Sequence, residues 1–259
     1  MIDALATELL KARRSRVPWV TALAFAVATG VGGLFMFILQ DQDRARSLGL
    51  IGTKASLVGR DADWATYLAF LAQTTAVGGV LVFGLVSVWL FGREFSQHTV
   101  KDLLALPTAR TTIVLAKFIV AGLWCLVLTA QLVVLGLAIG TALGLPGWSV
   151  ALAASGVATV AATAAMTVLL TTPIAFAASA GRGYLPGVGV MMAAIFSAQV
   201  IAALGYGRYF PWSVPALYSG LAGPGSDPPG LLSLLLVVLT GVGGAAATAL
   251  WWRGADQDR

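Results

Sequence analysis

The chain contains few charged residues, one cysteine and one histidine. Asp, Glu, Lys and Arg make up only 10% of its 259 residues, against roughly 25% in an average soluble domain, and 58% are hydrophobic. So few charges could not cover a soluble core of this size, whereas a protein that faces lipid needs no such cover. Cys125 alone excludes a disulfide within the chain, and His98 alone excludes a histidine cluster. We therefore predict an integral membrane protein without a metal site.

Sequence motifs for enzymatic chemistry are also missing. No Gly-Lys dipeptide occurs, so the chain has no phosphate-binding loop for ATP, and it has no H-E-x-x-H zinc motif. No acidic or basic residue falls near the middle of a long apolar run, where a proton-coupled or sodium-coupled carrier places its coupling groups. Basic and aromatic residues do not interleave as they do in nucleic-acid readers. We expect no catalytic residue and no nucleic-acid partner.

Six apolar runs are long enough to cross a bilayer as helices, which takes about 20 residues each. They predict an all-α, polytopic membrane protein whose six transmembrane helices form one domain over residues 1–259. Pro173 falls inside the fourth run and predicts a kink or an early end of that helix. The runs cover residues 17–39, 67–91, 118–143, 150–178, 187–205 and 231–252.

The distribution of Lys and Arg predicts the orientation of these spans. Eleven of the sixteen basic residues fall on the side of the two termini and five on the other. We therefore expect a multi-pass protein of the cell membrane with both termini in the cytoplasm.

Residues 1–16 have the pattern of a short amphipathic helix. Ile2, Leu5, Ala6 and Leu9 fall on one helical face, and a basic cluster from Lys11 follows at once. The pattern favours a helix that lies in the cytoplasmic interface of the membrane against anionic lipid. The alternative is a plain positive flank that orients the first span.

Uncharged polar side chains within the spans are the candidates for a solute path. Three glutamines occur in the second, third and fifth runs, and the fourth run carries hydroxyls at intervals of four residues from Ser155 to Thr171. These hydroxyls either line a path or bond back to the preceding helical turn in packing between helices. The candidates for the path are Gln73, Gln131, Thr159, Thr163, Thr167 and Gln199.

Small residues repeat at intervals of four on two of the spans. Gly136, Gly140 and Gly144 do so on the third run, and Gly244 lies between two threonines on the sixth. This spacing predicts close helix packing, either within one chain or between two copies.

Two segments between spans carry further patterns. In residues 93–112, Thr99 can cap a short helix that Pro107 limits, and its leucines need an apolar partner surface, either another protein or the chain's own spans. Residues 206–230 are rich in Pro, Gly and aromatics, which favours an external cap or lid at the membrane surface, or an ordinary loop with an aromatic belt. The residues singled out in that external segment are Tyr209, Phe210, Pro211, Trp212 and Pro215.

The segment between the second and third spans resembles the cytoplasmic signature of type-2 ATP-binding-cassette (ABC) permeases. That signature has a Glu, a Thr-x-Lys-x-Leu-Leu pattern, a Pro-x-x-Arg and a Lys that opens the next span. The matching residues here are Glu94, Thr99, Lys101, Leu103, Leu104, Pro107, Arg110 and Lys117. The external segment and the plan of six spans are similar to the same family, and the size is similar to that of its bacitracin-resistance and lantibiotic-immunity permeases. His98 departs from the family pattern, in which a Gly often precedes the Thr.

The resemblance implies the permease subunit of an exporter that confers antibiotic or multidrug resistance. Two copies of the chain would pair with two copies of a separate ATP-binding subunit, which would hold ATP and Mg, so that this chain binds no cofactor. Residues 99–106 would form a coupling helix in a groove of that subunit, and Arg93 and Glu94 would hold this helix to the bundle. The coupling residues implied are Glu94, Thr99, Lys101, Asp102, Leu103, Leu104, Leu106, Pro107 and Arg110.

The exported compound would be lipophilic or peptide-like. A self-sufficient secondary carrier or channel is the alternative function. It would need ionisable groups inside the membrane or broken helices in corresponding halves of the chain.

Overall fold

A bundle of long helices makes up the molecule in this computed structural model, which describes residues 1–49, 61–100, 108–221, 223 and 229–254. Six helices of the described residues are long and apolar enough to cross a membrane, and these residues include no strand. The predicted all-α fold with six spans is therefore confirmed. The helices are α1 (Ile2–Arg14), α2 (Val17–Gln40), α3 (Gln42–Ser47), α4 (Trp64–Ser96), α5 (Arg110–Ala142), α6 (Val150–Leu170), α7 (Thr172–Ala180), α8 (Tyr184–Ala203), α9 (Val214–Tyr218) and α10 (Leu231–Gly254).

Successive spans run in opposite directions, so α1, the end of α4, the start of α5 and the end of α10 meet at one end of the bundle. We call this end the base and the opposite end the top. At the base, the ring of Phe95 lies 5.7 Å from that of Trp252. At the top, the backbone N–H of Trp64 donates a hydrogen bond to the Pro146 carbonyl oxygen at 3.1 Å. Among the spans α4 is the most deeply buried, which places it at the centre of the bundle.

The fourth span is broken near Pro173, as the sequence predicts. Helix α6 ends at Leu170 and α7 begins at Thr172, with Pro173 in its first turn. Proline has no backbone N–H to continue the helical ladder, so the chain restarts there as a new helix. The Thr172 hydroxyl donates a hydrogen bond of 2.5 Å to the Gly241 carbonyl oxygen, which fastens the break to α10.

Small residues bring helices into close contact within this one chain. Gly136 and Gly140 of α5 lie against Leu71 and Trp64 of α4, and an added Cβ at either glycine would overlap those side chains. Gly244 of α10 lies in the same way against the start of α7. The predicted close packing is confirmed at these positions. It does not extend to Gly144, which lies beyond the end of α5 with no atom near its missing Cβ.

Candidate functional site

Four charged side chains meet inside the base, and we call them the ionic cluster: Glu8 and Lys11 of α1, Glu94 of α4 and Lys117 of α5. Lys117 is fully buried, and its Nζ lies 2.8 Å from Glu94 Oε1, 3.1 Å from Glu8 Oε2 and 2.8 Å from the Leu90 carbonyl oxygen. Lys11 Nζ lies 2.6 Å from Glu8 Oε1 and 3.1 Å from Glu94 Oε1. The cluster has no net charge and joins three helices.

Burial makes the pairing within the cluster necessary. An ammonium has three N–H donors, and those of Lys117 have three acceptors within reach, so its charge is compensated although the side chain is fully buried. Burial by itself lowers the pKa of Lys11, but the carboxylates of Glu8 and Glu94 outweigh this effect and raise the pKa above its ordinary value. Lys11 is therefore charged at neutral pH, and its ion pairs bind α1 to the bundle.

Helix α1 turns a charged residue inward and apolar residues outward. Glu8 and Ala12 are buried against the bundle, whereas Ile2 is 83% exposed and Leu9 is 42% exposed. Of the four residues that define the apolar face in the sequence, only Leu5 packs against the core. The exposed face carries the apolar groups that an interfacial helix needs, and the interfacial position itself stays a prediction.

The last turns of α4, up to Ser96, and the first turns of α5, from Arg110, flank the segment that resembles the cytoplasmic signature of type-2 ABC permeases. We call these two helix ends the stems. Arg93 and Glu94 lie in the last turns of α4, and the Arg93 guanidinium lies 4.7 Å from the ring centre of Trp89. Arg110 opens α5 and donates to the Trp252 and Arg253 carbonyl oxygens at the end of α10, both at 3.4 Å. The rest of the signature lies outside the described residues: Lys101, Asp102, Leu103, Leu104, Leu106 and Pro107.

The departure at His98 has a structural basis in how α4 ends. The backbone N–H of Thr99 donates to the Glu94 carbonyl oxygen at 2.9 Å, and that of His98 donates to Phe95 at 3.2 Å. These two bonds form a Schellman motif, whose residue after the cap adopts a left-handed conformation that glycine favours. His98 occupies this position with φ +57°. The family's frequent Gly thus corresponds to the position where this helix ends.

The candidate residues for the solute path do not come together in one place. Gln131 Nε2 donates to the Ala22 carbonyl oxygen of α2 at 2.8 Å, and Gln73 is half-buried on α4. Thr163 and Thr167 are fully buried, with the Thr167 hydroxyl bonded to the Thr163 carbonyl oxygen. The Thr159 hydroxyl bonds to the preceding turn in the same way. These contacts have the form of helix packing, and a role in a solute path stays a prediction.

A cavity of about 350 Å³ opens at the top, between α4, α8 and the external segment. Two residues singled out in the sequence line it, Gln199 and Trp212, together with apolar groups such as Val80 and Ile195. The indole Nε1 of Trp212 is buried and has no hydrogen-bond partner among the described residues. Such a cavity can hold an apolar group, and Trp212 can donate to an acceptor on it.

The described part of residues 206–230, the predicted external segment, folds over the top beside this cavity. Its two short 3-10 turns cover Gly207–Tyr209 and Pro211–Ser213, and α9 follows with Pro215 in its first turn. The rings of Phe210 and Trp212 lie 5.5 Å apart. The predicted role as a cap or lid stays a prediction.

Sequence reasoning named Glu94 and Lys117 as parts of a signature but missed Glu8 and Lys11 as their partners. One signal was present: Glu8 is an acidic residue on a helix that otherwise ends in basic ones, three positions before Lys11. Among the described residues, no group of three or more His, Cys, Asp or Glu side chains could hold a metal ion.

Comparison with known proteins adds two findings. A family model described as "ABC-2 family transporter protein" matches residues 4–198. The chain is also similar to the bacitracin transport permease protein BCRB of Bacillus licheniformis, with 28% identity over 179 residues, which are 69% of this chain and 85% of that protein. The family match includes all four residues of the ionic cluster.

Proposed function

Because the chain belongs to the ABC-2 transporter family, we propose that it is the permease subunit of an exporter driven by a separate ATP-binding subunit. Permeases of this family work with an ATP-binding subunit. The observation that carries the proposal is that the matched region contains the signature segment together with its two stems, which the ionic cluster ties to each other. Two copies of the chain and two ATP-binding subunits would form the transporter.

The base is the place where the ATP-binding subunit would act. Its proposed contact is the coupling segment, which runs from the end of α4 to the start of α5. Because Glu94 and Lys117 pair directly across these two helices, a push on the segment would move both spans together. An ATP-binding subunit that acts at the base requires the base to face the cytoplasm. The excess of Lys and Arg on the side of the termini agrees with this orientation. Helix α1 would lie along the cytoplasmic surface of the membrane.

Energy would enter through the partner subunit. The sequence has no phosphate-binding loop, and its apolar runs carry no charge near their middle that could couple transport to protons or sodium. ATP and Mg would be bound by the partner, and this chain would contribute the path and the coupling segment.

The exported compound in this proposal is lipophilic or peptide-like. The relative's name specifies bacitracin transport, and the cavity at the top of this chain is lined mainly by apolar side chains with Trp212 as a free donor. A peptide with apolar side chains and backbone carbonyl acceptors fits that lining. Bacitracin is therefore the first compound to test.

The test is ATP-dependent export of bacitracin from cells that contain the chain and its ATP-binding subunit. We expect Leu104→Asp to reduce export about tenfold or more, because a charge would replace an apolar contact with the partner. The amount of protein inserted in the membrane should not change. Ser96→Asp, which adds the same charge at an exposed position at the end of α4, is the matched control and should export normally. Normal export by a well-inserted Leu104→Asp variant would contradict the coupling role, and export without ATP would favour a carrier or channel.

A further inference from the structure

The ionic cluster consists of two pairs, each of which is neutral by itself. The Nζ–O distance within the α1 pair, Glu8 with Lys11, is 2.6 Å, and within the bundle pair, Glu94 with Lys117, it is 2.8 Å. The two contacts that cross from one pair to the other, Lys117 to Glu8 and Lys11 to Glu94, are both 3.1 Å. The shorter contacts lie within the pairs, and the longer ones hold α1 to the bundle.

Because of this arrangement, α1 could leave the bundle and every charged side chain of the cluster would still have a partner of opposite charge. If α1 moved away, Lys117 would keep Glu94 and the Leu90 carbonyl oxygen, and Glu8 would keep Lys11. A buried charge that loses its only partner costs several kcal/mol, and here neither half would meet that penalty. The cost of undocking is therefore limited to the two crossing contacts and a small apolar contact around Leu5 and Ala12.

The joint between α1 and α2 permits such a movement. Helix α1 ends at Arg14, and the next residue, Ser15, has an extended backbone with ψ 164°. Helix α2 begins at Val17, so two residues separate the helices. Ile2, Leu9 and Leu10 already face outward in the docked position, where they can contact lipid whether or not the inner face is bound.

We propose that α1 is a reversible latch: in its docked position Glu8 and Lys11 position the end of α4 against the start of α5, and its release leaves Lys117 with Glu94 and the Leu90 carbonyl oxygen as the polar contacts between these two stems. Their link to transport rests on the proposed function, because the stems carry the proposed coupling segment. Glu8 and Lys11 act through the stems, as positioning residues.

Accessibility of position 12 measures docking, because Ala12 is buried against the core in the docked helix and should become exposed when α1 leaves the bundle. The experiment uses the full chain in membrane vesicles, with Cys125→Ala to remove the native thiol and Ala12→Cys as the reporter. The test variant exchanges the two charges of α1, Glu8→Lys with Lys11→Glu. This exchange keeps the composition and the pair within α1 but makes both crossing contacts repulsive. We expect its maleimide labelling to be about tenfold faster, the change that a loss of 1.4 kcal/mol of docking free energy gives.

Two further variants distinguish release of α1 from a general loss of folded structure. Thr7→Cys is exposed on α1 and should label at the same rate in every background. Adding Glu94→Lys with Lys117→Glu to the exchanged α1 makes the crossing contacts attractive again and should return position 12 to slow labelling. If that fourfold variant does not fold, neutral Glu8→Gln with Lys11→Gln in the unchanged bundle provides the second measurement and should also label faster. Slow labelling in both α1 variants would overturn the latch.

Transport tests the positioning role separately. With the ATP-binding subunit present, the exchanged α1 should still purify with that subunit but transport at least about tenfold more slowly. Fast labelling with unchanged ATP-driven transport would overturn the positioning role. Absence of ATP-driven transport in the unaltered chain would contradict the proposed function, while the labelling rates would still decide whether α1 docks as a latch.

Discussion

The base and the top of this bundle use opposite chemistry. At the base, Glu94 and Lys117 are buried and paired, and α1 adds a second ion pair to them. At the top, a cavity is lined by apolar side chains, with Trp212 and Gln199 as uncharged polar groups. Ion pairs fix helices in a defined relation, and apolar cavities accept solutes. Under the proposed function, the base would receive the force from the partner and the top would meet the transported compound.

Removal of the buried charge of Lys117 should destabilise the base more than the other substitutions below. In Lys117→Met, two buried carboxylates keep only Lys11 as a counter-charge, and we expect the free energy of unfolding to fall by about 3–5 kcal/mol. Thermal unfolding in detergent measures this as a lower midpoint. Lys11→Met is the control: its side chain is 24% exposed, so its loss should cost clearly less. Equal unfolding midpoints for the two variants would show that the buried Lys117 contributes no more to stability than the partly exposed Lys11.

The next effect tests the close packing of α7 against α10 between the two ends. Gly244→Leu would push a side chain into the backbone nitrogen of Pro173 and the Thr172 hydroxyl, and we expect a loss of about 1–3 kcal/mol or more. Gly243→Leu is the matched control, because no atom lies within 4 Å of its missing Cβ. Similar unfolding midpoints for both variants would contradict the close contact between α7 and α10.

A smaller effect distinguishes a glutamine that packs from one that faces the cavity. Gln131→Leu removes the hydrogen bond to the Ala22 carbonyl oxygen and should lower stability by about 1 kcal/mol. Gln199 is exposed and lines the cavity, so Gln199→Leu should leave stability unchanged while it alters the affinity for an apolar solute, measured by quenching of tryptophan fluorescence. If Gln199→Leu destabilises the protein as much as Gln131→Leu, the top is a packed core and not a cavity wall.

A small gain in stability is expected from a glycine at the end of α4. His98→Gly relieves a left-handed conformation, and we expect a gain of up to about 1 kcal/mol. His98→Ala keeps a Cβ at the same backbone angle and should not give this gain. An unfolding midpoint for the glycine variant below that of the unaltered chain would argue against the Schellman motif.

The spans could be predicted from the sequence because the length of an apolar run follows from bilayer thickness. Pro173 could likewise be placed, since a missing backbone N–H acts locally. The helix ends at the base could not be predicted in this way, because α4 continues to Ser96 and α5 begins at Arg110, both beyond the apolar runs. The polar turns there are stabilised by contacts between helices, such as those of Lys117 with Glu94, which no local pattern reports.

The site was predictable only in part, for the same reason. Glu94 and Lys117 were recognised as separate positions of a signature, but their pairing depends on two helices meeting. The apolar pattern of α1 predicted that Ile2 and Leu9 face lipid, but it gave no indication that Glu8 faces the bundle. Lys117, which pairs with Glu8, lies 109 residues further along the chain. Hydropathy assigns such a residue to the surface when its partner is unknown.

Purification of the tagged chain from its native membranes in mild detergent would show whether a separate ATP-binding subunit accompanies this permease. We predict that one companion, recovered in equal amount and identified by mass spectrometry, contains a phosphate-binding loop of the form G-x-x-x-x-G-K-[ST]. Leu104→Asp should lose this companion, and Ser96→Asp should keep it. A chain that purifies alone and moves solute across vesicles without ATP would contradict a permease driven by a partner and would favour a carrier or channel.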